Sequence, residues 1–113
     1  MAYDEELAHR FRELVDGLEG LSEKRMMGGV CFLVNGNMIG GADRAKTGER
    51  RFMFRVGKHN QEVAETLPGG DALVQGGRRM SGFYFVDADD HDDQDMKEWV
   101  SLAVSHAMAL PPK

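Results

Sequence analysis

Asn35 and Gly36 stand between two apolar runs, Val30 to Val34 and Asn37 to Ile39. This is the strongest short-range hairpin signal, because a type I′ turn needs positive φ at both central residues, which Asn and Gly tolerate. The chain is thereby committed to an antiparallel strand pair near its centre. Four glycine doublets, Gly28-Gly29, Gly40-Gly41, Gly69-Gly70 and Gly76-Gly77, punctuate the same region. Their spacing is irregular, which suits short strands and tight turns and excludes a collagen-like repeat or a linker.

Further strands follow from period-two patterning. In Arg51 to Val56, Phe52, Phe54 and Val56 point one way while Arg51, Met53 and Arg55 point the other. Lys24 to Met27, Ala72 to Gln75 and Phe83 to Val86 read as additional strands, the last two joined by a link rich in glycine and arginine over residues 76–82. Val30 to Val34 is apolar on both faces, which predicts a central strand covered on both sides.

Helical spacing marks the two ends. Leu7, Phe11, Leu14, Val15 and Leu18 form one stripe over residues 4–18, with Asp4 as N-cap and Glu5 and Glu6 in the first turn. Met96, Trp99, Val100, Ala103, Ala107 and Leu110 form another over residues 92–109, stopped by Pro111-Pro112. A short helix is predicted over residues 58–67. The expected fold class is α+β: an antiparallel sheet of about five strands with the terminal helices packed on it in two layers, as a single domain over residues 1–113.

Composition sets outer bounds. The 42% apolar share supports a packed core, so disorder is not expected. Cys31 is the single cysteine, so no intramolecular disulfide can form, which fits a reducing, cytoplasmic compartment. The acidic N-terminus has no apolar signal core, and no apolar run approaches membrane-spanning length, so no membrane partner is expected. The net charge of −5 is uneven: residues 21–82 hold ten bases and six acids, while both flanks are acidic. Such a chain repels nucleic acid at long range, yet its basic middle offers material for a local patch.

Two segments carry a family resemblance. Lys24-Arg25-Met26-Met27-Gly28-Gly29-Val30-Cys31-Phe32 resembles the signature of the TfoX (Sxy) N-terminal domain, in which a basic residue and Met-Phe-Gly-Gly lead into an apolar strand. Gly77-Arg78-Arg79-Met80-Ser81-Gly82-Phe83 resembles its second signature, Gly-Arg-Pro-Met-x-Gly-aromatic. Met27 replaces the usual phenylalanine and Arg79 the usual proline. The opening and closing residues are similar to those of short stand-alone members, without the C-terminal helical domain of full-length TfoX proteins. The resemblance implies an α+β domain with an antiparallel sheet and no known enzymatic activity; the family's link to competence-gene transcription, alongside a cyclic-AMP receptor protein, belongs to its full-length members.

Candidate sites are few. The run from Asp87 to Asp95 has part of a calcium-loop spacing, but Asp92 stands where the loop needs glycine and His91 where it needs an oxygen ligand. Asp92 or Asp93 as a helix cap is the simpler reading. The four histidines lack paired spacing, so no metal and no cofactor is expected. Cys31, in the most apolar strand, reads as a buried core residue, and no catalytic residue is assigned. The candidate binding surface is Lys24, Arg25, Gly28, Gly29, Arg51, Arg55, Arg78 and Arg79, where glycine N–H groups and guanidinium groups would converge on an anion. Trp99 is a core residue or the anchor of an interface. The expected function is a non-enzymatic regulatory module that contacts protein partners, the transcription machinery by resemblance. A homodimer through a sheet edge or the Trp99 helix is a further expectation. The alternative is weak nucleic-acid or small-ligand binding through the basic Gly-Arg loops.

Overall fold

The computed structural model describes residues 4–26, 29–45 and 47–113. In chain order the elements are helix α1 (Glu5–Leu14), strands β1 (Leu21–Met26), β2 (Gly29–Val34), β3 (Asn37–Arg44) and β4 (Arg50–Arg55), a 3-10 turn (Lys58–Asn60) running into the short helix α2 (Gln61–Ala64), strands β5 (Gly70–Gln75) and β6 (Arg78–Asp87), and helix α3 (Asp93–Ala109). All neighbouring strands are antiparallel, in the order β1-β2-β3-β4-β6-β5. The architecture is α+β, with six strands rather than about five.

The hairpin forms where the sequence requires it. Asn35 has φ 53° and Gly36 φ 82°, the pair of left-handed conformations that matches the twist of β2 and β3. The tail also closes on this turn, with the Lys113 N–H donating to the Asn35 carbonyl at 2.8 Å.

One face of the sheet carries the core. Phe32, Phe52, Phe54, Tyr84 and Val86 point from the strands toward Leu7, Ala8 and Phe11 of α1 and Met96, Trp99, Val100 and Ala103 of α3. Phe11 stacks on Phe32 with centroids 4.4 Å apart, and Phe54 stacks on Trp99 at 5.8 Å. Trp99 is wholly buried, and its indole N–H donates to the Pro68 carbonyl at 3.0 Å, which satisfies its one polar atom.

Caps and ion pairs fix the helices to the sheet. Asp4 accepts from the Leu7 N–H, and Asp92 from the Asp95 N–H, each as an N-cap. Asp4 also accepts from Arg44 at 2.8 Å and Arg50 at 3.1 Å, and Arg50 reaches Glu6 and Asp89 as well. Hydrogen bonds from Arg44 and Leu7 and the charge of Arg50 together outweigh burial and hold the Asp4 carboxyl below its ordinary pKa.

Several element boundaries differ from expectation: β1 begins at Leu21 rather than Lys24, β3 runs on to Arg44, and the helix predicted over residues 58–67 is a 3-10 turn followed by a helix that ends at Ala64. α1 ends at Leu14, because the chain turns at Val15 and continues through Gly17 at φ 87°; Leu18 still reaches the core, from the turn rather than from a helix. Residues 76–82 are not a link. Gly76 and Gly77, both at positive φ, make a tight turn, and β6 starts at once at Arg78. No helix among the described residues is long and apolar enough to cross a membrane.

Candidate functional site: the open face of the sheet

Strand alternation sends every second side chain to the face opposite the helices. The registers arrange these residues in a row: Lys24 beside Cys31, Cys31 beside Gly41, Gly41 beside Met53, Met53 beside Phe85, and Phe85 beside Asp71. A second row places Asp43 beside Arg51 and Arg51 beside Asp87. Arg55 beside Phe83 begins a third. Leu33, Met38 and Leu73 extend the apolar surface.

Apart from the exposed Lys24 and Asp71 at the two ends of the first row, these side chains are half-buried by one another, yet none belongs to the core cluster built with the helices. The expectation that Val30 to Val34 is covered on both sides is therefore corrected. Val30, Phe32 and Val34 face the helices, while Cys31 and Leu33 face the open side. Cys31 is likewise no core residue but half-buried on that face.

The face is concave at its centre. A cavity of about 430 Å³ is lined by Cys31, Met38, Gly41, Met53, Leu73 and Phe85, with Asp43 and Arg51 at its rim. Gly41 makes the hollow. A Cβ there would fall 2.5 Å from the Val30 carbonyl oxygen, so the approach of β3 to β2 admits no side chain. Gly29 has the same role one pair further along, where a Cβ would lie 2.7 Å from the Ala42 carbonyl oxygen.

The electrostatics of the face are mixed. Arg51 donates Nε–H and Nη2–H to Asp43, at 2.8 and 3.2 Å, and its guanidinium lies 3.9 Å from the Phe85 ring centroid. Both contacts hold the guanidinium flat on the sheet. Arg55 sits 6.0 Å from the Phe83 centroid. Burial, with the charge of Asp43, raises the Cys31 thiol above its ordinary pKa, and Lys24 opposes the shift. Cys31 is thus held as the thiol, the unreactive form.

The predicted anion surface is not assembled as one site. Lys24 and Arg25 are exposed on β1 at one edge of the sheet, and Arg78 and Arg79 lie on β6, four strands away, or about 19 Å at ordinary strand spacing. Arg79 donates to Glu65 at 2.7 Å and to the Tyr84 hydroxyl at 3.2 Å. Gly28 lies outside the described residues. Arg51 and Arg55 do share one face, but with Met53 between them rather than a glycine loop. Trp99 offers nothing to a partner, since its burial is complete within this chain.

The histidines lie elsewhere. His106, on α3, packs 5.3 Å from His59, and its buried Nδ1 has no hydrogen-bond partner. Burial, then the charges of Arg55 and His59, lower its pKa. Among the described residues no group of three or more His, Cys, Asp or Glu side chains is placed to hold a metal ion.

The sequence profile of the TfoX N-terminal domain family matches residues 13–107. The chain belongs to the TfoX N-terminal domain family. The match spans every strand of the sheet and nearly all of α3. The two segments that resemble TfoX signatures fall at β1–β2 and along the first half of β6. The first delivers Cys31 to the open face and the second leads into Phe83 and Phe85. No curated protein and no solved structure matches the chain.

Met38, Met53, Leu73 and Phe85 were not assigned to the candidate surface by the sequence, although the strand pattern already set Met53 on one face with Arg51 and Arg55. The signal was present in Val30 to Val34, apolar on both faces, but a buried central strand leaves the same pattern as one with a bare face.

Proposed function

We propose that this TfoX domain is a non-enzymatic regulatory module that acts through protein–protein contact, with the open face of the sheet as its contact surface. The observation that carries the reading is the apolar row from Cys31 through Met53 to Phe85, concave at Gly41 and left uncovered by the described helices. An antiparallel sheet commonly leaves one face to solvent, but that face is ordinarily polar, and a contiguous apolar one marks an interaction surface. Methionine suits this role, since its flexible thioether adapts to a partner's shape. The family membership supports a role in competence or transcription regulation, with the transcription machinery as the partner class. The protonated state of Cys31 and its separation from the histidines on the helical side favour binding over nucleophilic chemistry.

Affinity capture from native lysate, after nuclease treatment, tests the reading with wild type and Met53→Asp side by side. Proteins held by wild type and lost with Met53→Asp support it. Equal capture by both, or loss of all partners from wild type on nuclease treatment, would overturn it in favour of another surface or of nucleic acid.

A further inference from the structure

We infer that the open face binds a second copy of this chain, about a two-fold axis that runs between β3 and β4 parallel to the strands. The inference rests on the reading of that face as a contact surface, and it names the occupant.

The argument is self-complementarity. A closed symmetric dimer requires each patch to match its own image under the two-fold operation. With the axis between β3 and β4, β3 lies over the partner's β4, β2 over β6 and β1 over β5, as the strand order dictates. The registers then decide which side chains meet. Gly41 and Met53 are cross-strand neighbours, so the Met53 thioether of each copy enters the hollow that Gly41 leaves in the other. Cys31 meets the partner's Phe85, a sulfur over an aromatic ring. Lys24, at one end of the row, meets the partner's Asp71, at the other end. Asp43 and Arg51 exchange places across the axis, so each guanidinium gains a second carboxylate.

Charge balance points the same way. The open face carries Lys24, Arg51 and Arg55 against Asp43, Glu49, Asp71 and Asp87, three bases and four acids, so neither sign dominates it. A strongly acidic or basic foreign partner would select a face of one sign. A face with its opposite charges at opposite ends of one row selects its own image. Two sheets packed this way keep their strands within about 30° of each other, the ordinary aligned arrangement.

The contact is small. Six strands by about five residues give a footprint of roughly 500 Å² per copy at ordinary strand spacing. Two such footprints make about 1,000 Å², below the 1,200 Å² or so of stable complexes, so association is weak and concentration-dependent.

Sedimentation velocity of the full chain, from about 10 μM to about 1 mM, reads this directly. The 12.6-kDa monomer is expected to give way toward twice that mass as concentration rises. Met53→Asp is expected to stay monomeric throughout, with an unchanged far-UV circular dichroism spectrum. Lys24→Asp and Asp71→Lys should each weaken association about three- to tenfold, since each removes two symmetric rim pairs. The double variant, with the charges exchanged, should recover most of the loss. A wild-type chain that remains monomeric to the top of the range overturns the inference, as does a dimer that survives Met53→Asp. A double variant no better than either single change overturns the axis. Monomeric wild type with Met53-dependent capture of another protein would leave the contact surface standing and remove only the second copy.

Discussion

Met53 stands beside Gly41 across the β3–β4 ladder, and the side chain missing at Gly41 is what makes the open face concave around Met53. The glycine is fixed by its own sheet, because a Cβ would fall 2.5 Å from the Val30 carbonyl oxygen. Fold and surface shape thus depend on the same residue. Gly41→Val is expected to destabilise the domain by about 1–3 kcal/mol through forced separation of β2 and β3. Thermal denaturation would show it, and a variant as stable as wild type would mean that the strands part without strain.

The core rests on the aromatic stack beneath α3. Trp99→Ala removes a wholly buried indole that packs on Phe54 and Tyr84. A loss of about 3–5 kcal/mol is expected by urea titration. A loss below about 1 kcal/mol would argue that the stack tolerates a cavity of that size.

Asp4 joins three structures at once: the α1 N-terminus, Arg44 and Arg50. Asp4→Ala should cost about 1–3 kcal/mol, of which the lost cap accounts for about 1. Its folded pKa lies below the ordinary value of 3.8. The Asp4 contribution is therefore present above pH 3.8 and lost as pH falls through the lower folded value. Acid unfolding curves of wild type and Asp4→Ala should converge there, and curves that stay parallel would contradict the assignment.

His106 predicts a second pH dependence. Its folded pKa is lowered from 6.5, first by burial and then by Arg55 and His59. The unfolded chain then binds the proton more readily, so stability is full above pH 6.5 and declines as pH falls through the folded value. Chemical denaturation at pH 7.5 and below should show this slope, reduced in His106→Gln. An identical slope in the variant would assign it to other groups.

Much of the fold was legible because it depends on local chemistry. Asn35-Gly36 sets the central hairpin, Asp4 caps the first helix, and the alternation of Phe52 and Phe54 with Arg51, Met53 and Arg55 places β4 with one face inward. The open face was not legible in the same way. An apolar residue at Cys31 or Leu33 reads as buried unless one knows what lies above it, and that is a property of the assembled layers. The arginines misled for a related reason. Arg51 and Arg79 read as free cations, but Asp43 and Glu65 reach them across strands and turns that no short pattern connects.

The most direct test of the contact surface is site-specific photocrosslinking in native cells, with a benzophenone side chain in place of Met53 and, as a control, in place of the exposed Lys97 on α3. The account predicts protein adducts from position 53, either a second copy of the chain or a distinct partner, and little from position 97. Adducts from position 97 alone, or capture of nucleic acid rather than protein at position 53, would contradict it.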